Sequence, residues 1–253
     1  MKKVLLKGIN ICKAFPENGT ETQILQSINI EIYEGDFTII MGASGAGKST
    51  LLYALSGMDS ITDGEILYKD QILNRLSENR KAAIRAKEFG FVFQQTHLVS
   101  NLTLFENVAV AGYVAKTATP KAVQQRAGEL LKQMHVEKAK DRLPSQVSGG
   151  EAQRASIARA MIGNPGLIFA DEPTGALNKA NSEEVLNLLS GLHENGQSIL
   201  MVTHDAKAAI RGNRILYLED GQILDELTLP VFQEEDARAR EEKISLWLSS
   251  LQW

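Results

Sequence analysis

Eight consecutive residues carry the side chains and the spacing of a phosphate-binding loop. They are Gly42, Ala43, Ser44, Gly45, Ala46, Gly47, Lys48 and Ser49, and Thr50 follows directly. Glycines adopt backbone angles that residues with a Cβ resist, so successive N–H groups can converge on phosphate oxygens. Lys48 offers a mobile cation to the β- and γ-phosphates, and Ser49 offers a hydroxyl to Mg²⁺. The pattern therefore predicts a site for a nucleoside triphosphate.

The segments that flank this loop are the ones needed to position it. Residues 37–41 form a short apolar, β-branched run that is typical of a buried parallel strand. Residues 50–55 favour a helix and contain no breaker. A strand, a Gly-rich turn and a helix form the context in which this pattern binds phosphate. The alternative is a Gly-rich surface loop that happens to end in Lys-Ser.

Two acidic residues end a second apolar run, which covers residues 166–172. Carboxylates at the carboxyl end of a buried parallel strand face the crevice in which ligands bind in α/β sheets. We therefore expect Asp171 to hold Mg²⁺, directly or through water, and Glu172 to polarise the attacking water. Because Pro173 follows, the alternative is a pair of acids that cap a helix.

Gln94, His204 and Phe15 are weaker candidates when each is taken alone. Gln94 ends a strand predicted at residues 89–93, where its carbonyl can reach Mg²⁺ or orient water, although most strand-end glutamines do neither. His204 follows an apolar run and either donates a hydrogen bond to a γ-phosphate or is an ordinary surface histidine. Phe15, beside a turn predicted at residues 16–20, either stacks on an adenine ring or belongs to the core.

A further glycine-containing segment precedes the helical run at residues 155–162. It consists of Ser148, Gly149, Gly150 and Glu151. A serine at the N-cap with two glycines beside it forms a helix N-terminus that suits an anion. Taken alone, the segment is a capped helix and nothing more.

The composition is that of an ordinary globular protein. Of the 253 residues, 43% are hydrophobic and 23% are charged, which is enough to bury a sizeable core. The net charge is −4 and the basic residues are scattered, so no nucleic-acid partner is expected. The single cysteine, Cys12, excludes an internal disulfide and fits a reducing compartment. The sequence predicts neither a signal peptide nor a run of the roughly 18 apolar residues that span a bilayer.

Local patterns also predict the organisation of the chain. Residues 5–11 and 28–33 are typical of strands in an antiparallel layer that leads into the phosphate-loop strand. Residues 101–145 indicate a mostly helical insertion, in which Thr119 and Pro120 begin a helix. Its apolar positions recur at helical spacing at Val123, Ala127, Leu130, Leu131 and Met134. After residue 230 a second apolar stripe, which must dock either on its own domain or on a partner, is formed by Ile244, Trp247, Leu248 and Leu251.

In their order, these motifs resemble the nucleotide-binding subunit of ATP-binding-cassette (ABC) systems over roughly residues 4–229. Residues 42–49 match Walker A, residues 167–171 match Walker B, and residues 148–151 match the signature, although Val147 precedes it where Leu is commoner. Gln94 matches the Q-loop, Glu172 the catalytic glutamate, His204 the switch histidine and Phe15 the aromatic A-loop position. The resemblance implies ATP and Mg²⁺ as cofactors and ATP hydrolysis as the activity.

The resemblance also implies the fold. We expect an α/β protein with a P-loop NTPase core, a mainly parallel sheet, an N-terminal antiparallel β layer and an inserted helical subdomain. The nucleotide-binding domain would cover residues 1–229, with the helical subdomain at about residues 95–160. Residues 230–253 would form a C-terminal amphipathic helical extension.

A finer resemblance is to the branch that serves lipoprotein-releasing, macrolide-exporting and bacitracin-type peptide-resistance transporters. Residues 56–59, 90–94, 102–108 and 171–178 carry it. It implies a subunit that powers a separate membrane permease in export, extraction or resistance to antimicrobial peptides or lipid-linked compounds. The transported substrate is chosen by the permease in this family, so it does not follow from this chain. The alternative is a non-transport ABC ATPase that acts on nucleic acid or ribosomes, but the chain has neither a long coiled coil nor a second cassette.

The resemblance further implies two partners. Two copies would pack head to tail with ATP between them, each signature completing the site of the other copy. A permease helix would bind the helical insertion and the segment after Gln94, which places the chain in the cytoplasm on the inner face of the membrane. Asn178 departs from the family, where this position is usually Asp. We expect hydrolysis to survive this change with weaker coupling between the sites, and an inactive intact complex would contradict that.

Overall fold

A computed structural model describes residues 2–17 and 20–251 of the chain. It separates into two compact units, of which unit 1 comprises Met1–Ser77 with His193–Trp253 and unit 2 comprises Glu78–Leu192. The strands, in chain order, are β1 (Val4–Glu17), β2 (Thr20–Tyr33), β3 (Phe37–Met41), β4 (Asp63–Tyr68), β5 (Gln71–Ile72), β6 (Phe89–Phe93), β7 (Leu167–Asp171), β8 (Ser198–Val202), β9 (Arg214–Glu219) and β10 (Gln222–Thr228). The helices are α1 (Lys48–Leu55), α2 (Glu78–Glu88), α3 (Leu104–Ala115), α4 (Pro120–Gln133), α5 (Gly149–Met161), α6 (Lys179–Glu194), α7 (Ala206–Ala209) and α8 (Ala237–Ser250).

The antiparallel layer of unit 1 has the strand order β2-β1-β4-β5. In β2 the side chains of Ile28, Ile30 and Ile32 are buried while those between them are not, because successive residues of a strand point to opposite faces. Both long strands extend well beyond the apolar segments that predicted them. Of the predicted turn at residues 16–20, the residues at either end belong to these strands, and Asn18 and Gly19 lie outside the described residues.

The second sheet contributes strands β10-β9-β3-β8 to unit 1. Strand β3 is fully buried and runs parallel to both β8 and β9, with Ile40 paired to Val202 on one side and to Leu216 on the other. A continuous apolar run is expected for a parallel strand that is covered on both faces. Since the carboxyl ends of parallel strands meet at one edge, the residues after β3 and β8 become neighbours.

Unit 2 pairs β6 with β7 in parallel, α2 and α5 contact β6, and α3 and α4 pack on α5. The predicted apolar stripe of α4 is buried along its whole length. Thr119 caps this helix, with its hydroxyl accepting the Ala122 N–H at 3.4 Å, and Pro120 takes the first helical position. Among the residues that the structure describes, no helix is both long and apolar enough to cross a bilayer.

Helix α8 packs on unit 1, so the C-terminal apolar stripe docks on its own unit, one of the two expected alternatives. Ile244 and Leu248 are buried. The guanidinium of the buried Arg240 donates to the carbonyls of Ile210 at 2.7 Å, Gly212 at 2.5 Å and Pro230 at 2.9 Å. The division of the chain at residue 229 and the bounds of the inserted subdomain remain predictions.

Candidate nucleotide-binding site

The phosphate loop connects β3 to α1 within unit 1, as the sequence predicts. Gly47 is the N-cap of α1 and has a φ of 97°, which a residue with a Cβ adopts only at a cost. A Cβ on Gly42 would lie 2.1 Å from the carbonyl oxygen of Leu218 in β9. The loop therefore approaches the sheet more closely than any side chain at position 42 would allow.

Lys48 is buried and folds back over the loop that precedes it. Its Nζ donates to the carbonyl oxygens of Gly42 and Ala43, both at 2.8 Å. Ala43, Ser44 and Gly45 are exposed, so the outer part of the loop is open to a ligand. An ammonium group held at the start of a helix, whose first N–H groups lack helical partners, forms an anion site.

His204 lies at the same edge of the sheet as the phosphate loop. The N–H of Thr203, which follows β8, donates to the carbonyl of Ile40 in β3 at 3.1 Å. The next residue, His204, is exposed. Asp205 then caps the short α7 by accepting the Lys207 N–H at 2.9 Å. These hydrogen bonds fix the backbone on both sides of the histidine, so its side chain is presented from a defined position.

Phe15 is 42% exposed, so its alternative interpretation as a core residue does not apply. It lies near the end of β1, where it pairs with Thr22 of β2. The Nζ of Lys13 lies 4.6 Å from the centroid of its ring. Residues two apart on a strand share a face, which brings these two side chains together.

In unit 2, Gln94 and the two acidic residues come from neighbouring strand ends. Phe93 is paired with Asp171 in the register of β6 and β7, so Gln94 and Glu172 are the next residues along. Asp171 is only 8% exposed, whereas Gln94 is exposed beside Gly175 of the loop that follows β7. Glu172 has a φ of 45°, in the left-handed region. The predicted ligand and base positions of this unit therefore share one sheet edge.

The segment 148–151 forms a capping box at the start of α5. The Ser148 hydroxyl accepts the Glu151 N–H at 3.2 Å, and the Glu151 carboxylate accepts the Ser148 N–H at 2.8 Å. Two hydrogen bonds from Ser148 lower the pKa of the Glu151 carboxyl. The bond from the backbone N–H has the larger effect, and the bond from the hydroxyl has the smaller one. Gly150 packs against α6, since a Cβ there would lie 2.1 Å from Oδ1 of Asn181.

The sequence of the chain decides its family. A family model for ABC transporters matches residues 25–175, which is more than half of the chain. This chain belongs to the ABC transporter family. As a member of that family it is an ATPase, and it binds ATP with Mg²⁺.

Two solved structures of the ATP-binding cassette MJ0796 resemble the chain over 90% of its length and cover that cassette completely. One is a dimer in a post-hydrolysis state bound to ADP and Pi, with 37% identity and a TM-score of 0.84. The other is a dimeric structure of MJ0796 as a bacterial ABC transporter cassette, with 38% identity and a TM-score of 0.83. The predicted α/β fold, with an antiparallel layer and a mainly parallel sheet, is thereby confirmed.

Two residues of α5 hold the backbone on either side of Gln94 but were not predicted. Gln153 is buried and its Nε2 donates to the carbonyl of Phe93 at 2.9 Å, which anchors the strand end before Gln94. Arg159 donates to the carbonyls of Thr96 at 2.6 Å and His97 at 2.7 Å, so it holds the segment after Gln94. Burial lowers the pKa of the Arg159 guanidinium. The sequence carried no signal that separates them from the other polar residues of this helix, Glu151, Arg154 and Ser156.

Proposed function

We propose that this chain is the ATP-hydrolysing subunit of an ABC transporter and powers a separate membrane permease. The observation that carries the proposal is an apolar groove on unit 2 with a volume of about 380 Å³. Phe91, Phe93 and Val114 line it, and His97 and Arg159 add polar groups. A groove of aromatic and aliphatic side chains with a few polar contacts suits the apolar face of an amphipathic helix.

An exposed apolar face on α3 continues from this groove. Val110, Tyr113 and Val114 are all exposed there, and Val114, which also lines the groove, is 61% exposed. Contiguous exposed apolar surface on a folded protein marks a site of interaction with a protein or a membrane. A cytoplasmic helix of a permease is the occupant that fits an ABC ATPase. The chain then lies in the cytoplasm, on the inner face of the membrane.

The transport function that we propose is based on the finer resemblance. Residues 171–178, which end in Gly-Ala-Leu-Asn, are most similar to the peptide-resistance group. We therefore assign the chain to export, extraction or resistance to antimicrobial peptides or lipid-linked compounds.

Three residues have oxygen donors that fit Mg²⁺, which prefers carboxylate, carbonyl and hydroxyl oxygens. They are Ser49 at the start of α1, Gln94 after β6 and Asp171, whose carboxylate is largely buried at the end of β7. Bound Mg²⁺ neutralises negative charge on the phosphate oxygens. The triphosphate itself is bound by the backbone of residues 42–50 and by the Lys48 ammonium, which exchanges the loop carbonyls for phosphate oxygens.

Glu172 and His204 act on the reacting groups. Glu172 accepts a proton from the attacking water, and His204 donates a hydrogen bond to the γ-phosphate. Phe15 stacks on the adenine ring through its exposed side chain.

A second copy of the chain completes the site. Both MJ0796 structures are dimeric. Ser148 and Gly149 are exposed at the N-terminus of α5, and a helix N-terminus with glycines beside it suits a γ-phosphate from another copy. ATP then holds the head-to-tail dimer closed, and hydrolysis releases it.

The test is co-purification from detergent-solubilised membranes of the native cell, using the full chain with Glu172→Gln in ATP and Mg²⁺. This change is expected to stall hydrolysis and hold the closed dimer together with its permease. A multi-span membrane protein should then purify with it. Capture of ribosomal or nucleic-acid partners alone would overturn the transport function and favour the alternative.

A pair of matched variants tests the groove. Val114→Asp, added to Glu172→Gln, is expected to abolish capture of the permease because it places a charge on the apolar surface. Leu246→Asp is the control, since Leu246 is 73% exposed on α8 of the other unit. Thermal unfolding of both variants verifies folding. Permease capture that survives Val114→Asp would refute the assignment of the groove, and so would loss of capture in both folded variants.

A further inference from the structure

Lys13 is a buried cation outside the catalytic machinery. It is only 6% exposed, and its Nζ has two polar partners: it lies 2.9 Å from Oδ2 of Asp59 and donates to the carbonyl of Ser60 at 2.6 Å. The Nζ also lies 4.6 Å from the centroid of the Phe15 ring. A buried ammonium is costly unless it is paired, so this arrangement holds the charge firmly in one place.

The partners of Lys13 connect the Phe15 strand to the helix that begins at the phosphate loop. Asp59 and Ser60 lie in the turn after α1, the helix whose first residue is Lys48. Thr62 strengthens this connection, because its hydroxyl accepts the Ala14 N–H at 2.9 Å. Phe15 therefore has a fixed backbone on its N-terminal side and a fixed charge against its ring, although 42% of the residue is exposed.

We propose that Lys13 is a positioning residue for the nucleotide base: it holds the Phe15 ring against its ammonium group so that the ring is presented to adenine. The inference rests on the proposed function, in which Phe15 stacks on that base. The cation restricts the ring before the ligand arrives, so less side-chain freedom is lost on binding. It also draws the π electrons of the ring towards itself, which reduces their repulsion of the electron-rich purine on the other side.

A base-positioning role of Lys13 and a purely structural role predict different effects on ligand binding. A base-positioning residue affects ligands that carry a base and leaves binding of the phosphates alone unchanged. A residue that only stabilises the turn after α1 affects both, because the same helix begins at the phosphate loop.

The experiment measures equilibrium binding of ATP and of inorganic tripolyphosphate, each with Mg²⁺, by titration calorimetry. All variants are made in the full chain with Glu172→Gln, which prevents turnover. Lys13→Met is expected to weaken ATP binding about three- to tenfold, which is roughly the cost of ordering one side chain on binding. Tripolyphosphate binding should stay within about twofold. Lys7→Met, which removes another paired lysine of β1, is the control and should change neither.

A double-mutant cycle tests whether Lys13 acts through Phe15. Adding Lys13→Met to Phe15→Leu should weaken ATP binding no further than Phe15→Leu does alone. Lys13→Arg retains a cation and should restore most of the affinity. Thermal unfolding of each variant identifies any loss of folding.

Three results would contradict the reasoning in different ways. Equal weakening of ATP and tripolyphosphate by Lys13→Met, or additive effects in the cycle, would overturn the positioning role. Unchanged ATP binding in Lys13→Met, with weaker binding in Phe15→Leu, would overturn it as well while leaving base stacking intact. Unchanged ATP binding in Phe15→Leu would instead refute the stacking role of Phe15 on which the inference rests.

Discussion

The backbone of Glu172 is strained, so glycine at this position should relieve the strain although it removes the carboxylate needed for activity. Its φ of 45° lies in the left-handed region, directly after the buried strand β7. Non-glycine residues in that region cluster at functional sites, where the surrounding structure holds them in place. We expect Glu172→Gly and Glu172→Ala to lose ATP hydrolysis to the same extent, while the glycine variant is the more stable of the two.

The magnitude follows from the two backbone terms. A Cβ in the left-handed region costs about 1–2 kcal/mol, which glycine avoids. Glycine loses about 0.5–1 kcal/mol more conformational free energy than alanine on folding. At the middle of each range, the difference leaves the free energy of unfolding of the glycine variant higher by about 0.5–1 kcal/mol. For a chain of this size that corresponds to roughly 1–4 °C in the unfolding midpoint.

The assay combines thermal unfolding with phosphate release from ATP. Both variants lack the carboxylate, so the rate should fall by at least about 10²-fold in each. The control is the same pair of substitutions at Glu183, an exposed position inside α6, where glycine is less favourable than alanine and the order of stability should reverse. An alanine variant at position 172 that is as stable as the glycine variant would refute the strain. Full hydrolysis in either variant would refute the role of the carboxylate.

Three further predictions use other sites. Gly150→Ala should lower the free energy of unfolding by about 1–2 kcal/mol through its clash with Asn181. Adding Asn181→Ala should restore stability, measured by unfolding, but not ATP hydrolysis, measured by phosphate release. Arg240→Met should lower the free energy of unfolding by about 2–4 kcal/mol because three carbonyls lose their donor. Arg238→Met, which removes an exposed ion pair, should change it by less than about 0.5 kcal/mol. Burial lowers the pKa of His193, so protonation favours the unfolded chain and stability should fall as the pH drops below the unfolded value of 6.5. His193→Gln should flatten this dependence in unfolding curves between about pH 7.5 and 5.5, and an unchanged slope would contradict it.

The buried strands were predictable because a strand that is covered on both faces consists mainly of apolar residues. Residues 37–41 and 89–93 are mostly apolar runs, and the structure gives strands β3 and β6 those same bounds. The long hairpin was underestimated, since β1 and β2 are held to their ends by backbone pairing. Their outer halves contain polar residues such as Thr22 and Gln23, which leave no apolar pattern to detect. Pairing between distant segments cannot be inferred from local composition.

Most of the candidate site was predictable for a different reason. Within each unit, most of its residues lie at or just beyond the ends of strands or at the starts of helices, where sequence patterns are informative. The residues that support the site were not predictable. Gln153 contacts the carbonyl of Phe93, and Lys13 contacts Asp59 and Ser60, so the partners of both lie far along the chain. Each residue has an ordinary place in its own helix or strand pattern. Only the tertiary fold brings their partners to them.

Asn178 shows how local structure can account for a departure from a family pattern. Its Oδ1 accepts the N–H of Asn181 at 3.0 Å, and its carbonyl accepts the N–H of Ser182 at 2.9 Å, so it is the N-cap of α6. Asparagine and aspartate are about equally good in that position. The helix therefore begins correctly without the usual carboxylate, and Asn181 remains in place against Gly150 of the signature. The amide of Asn178 therefore meets the local requirement of the helix N-terminus without a carboxylate.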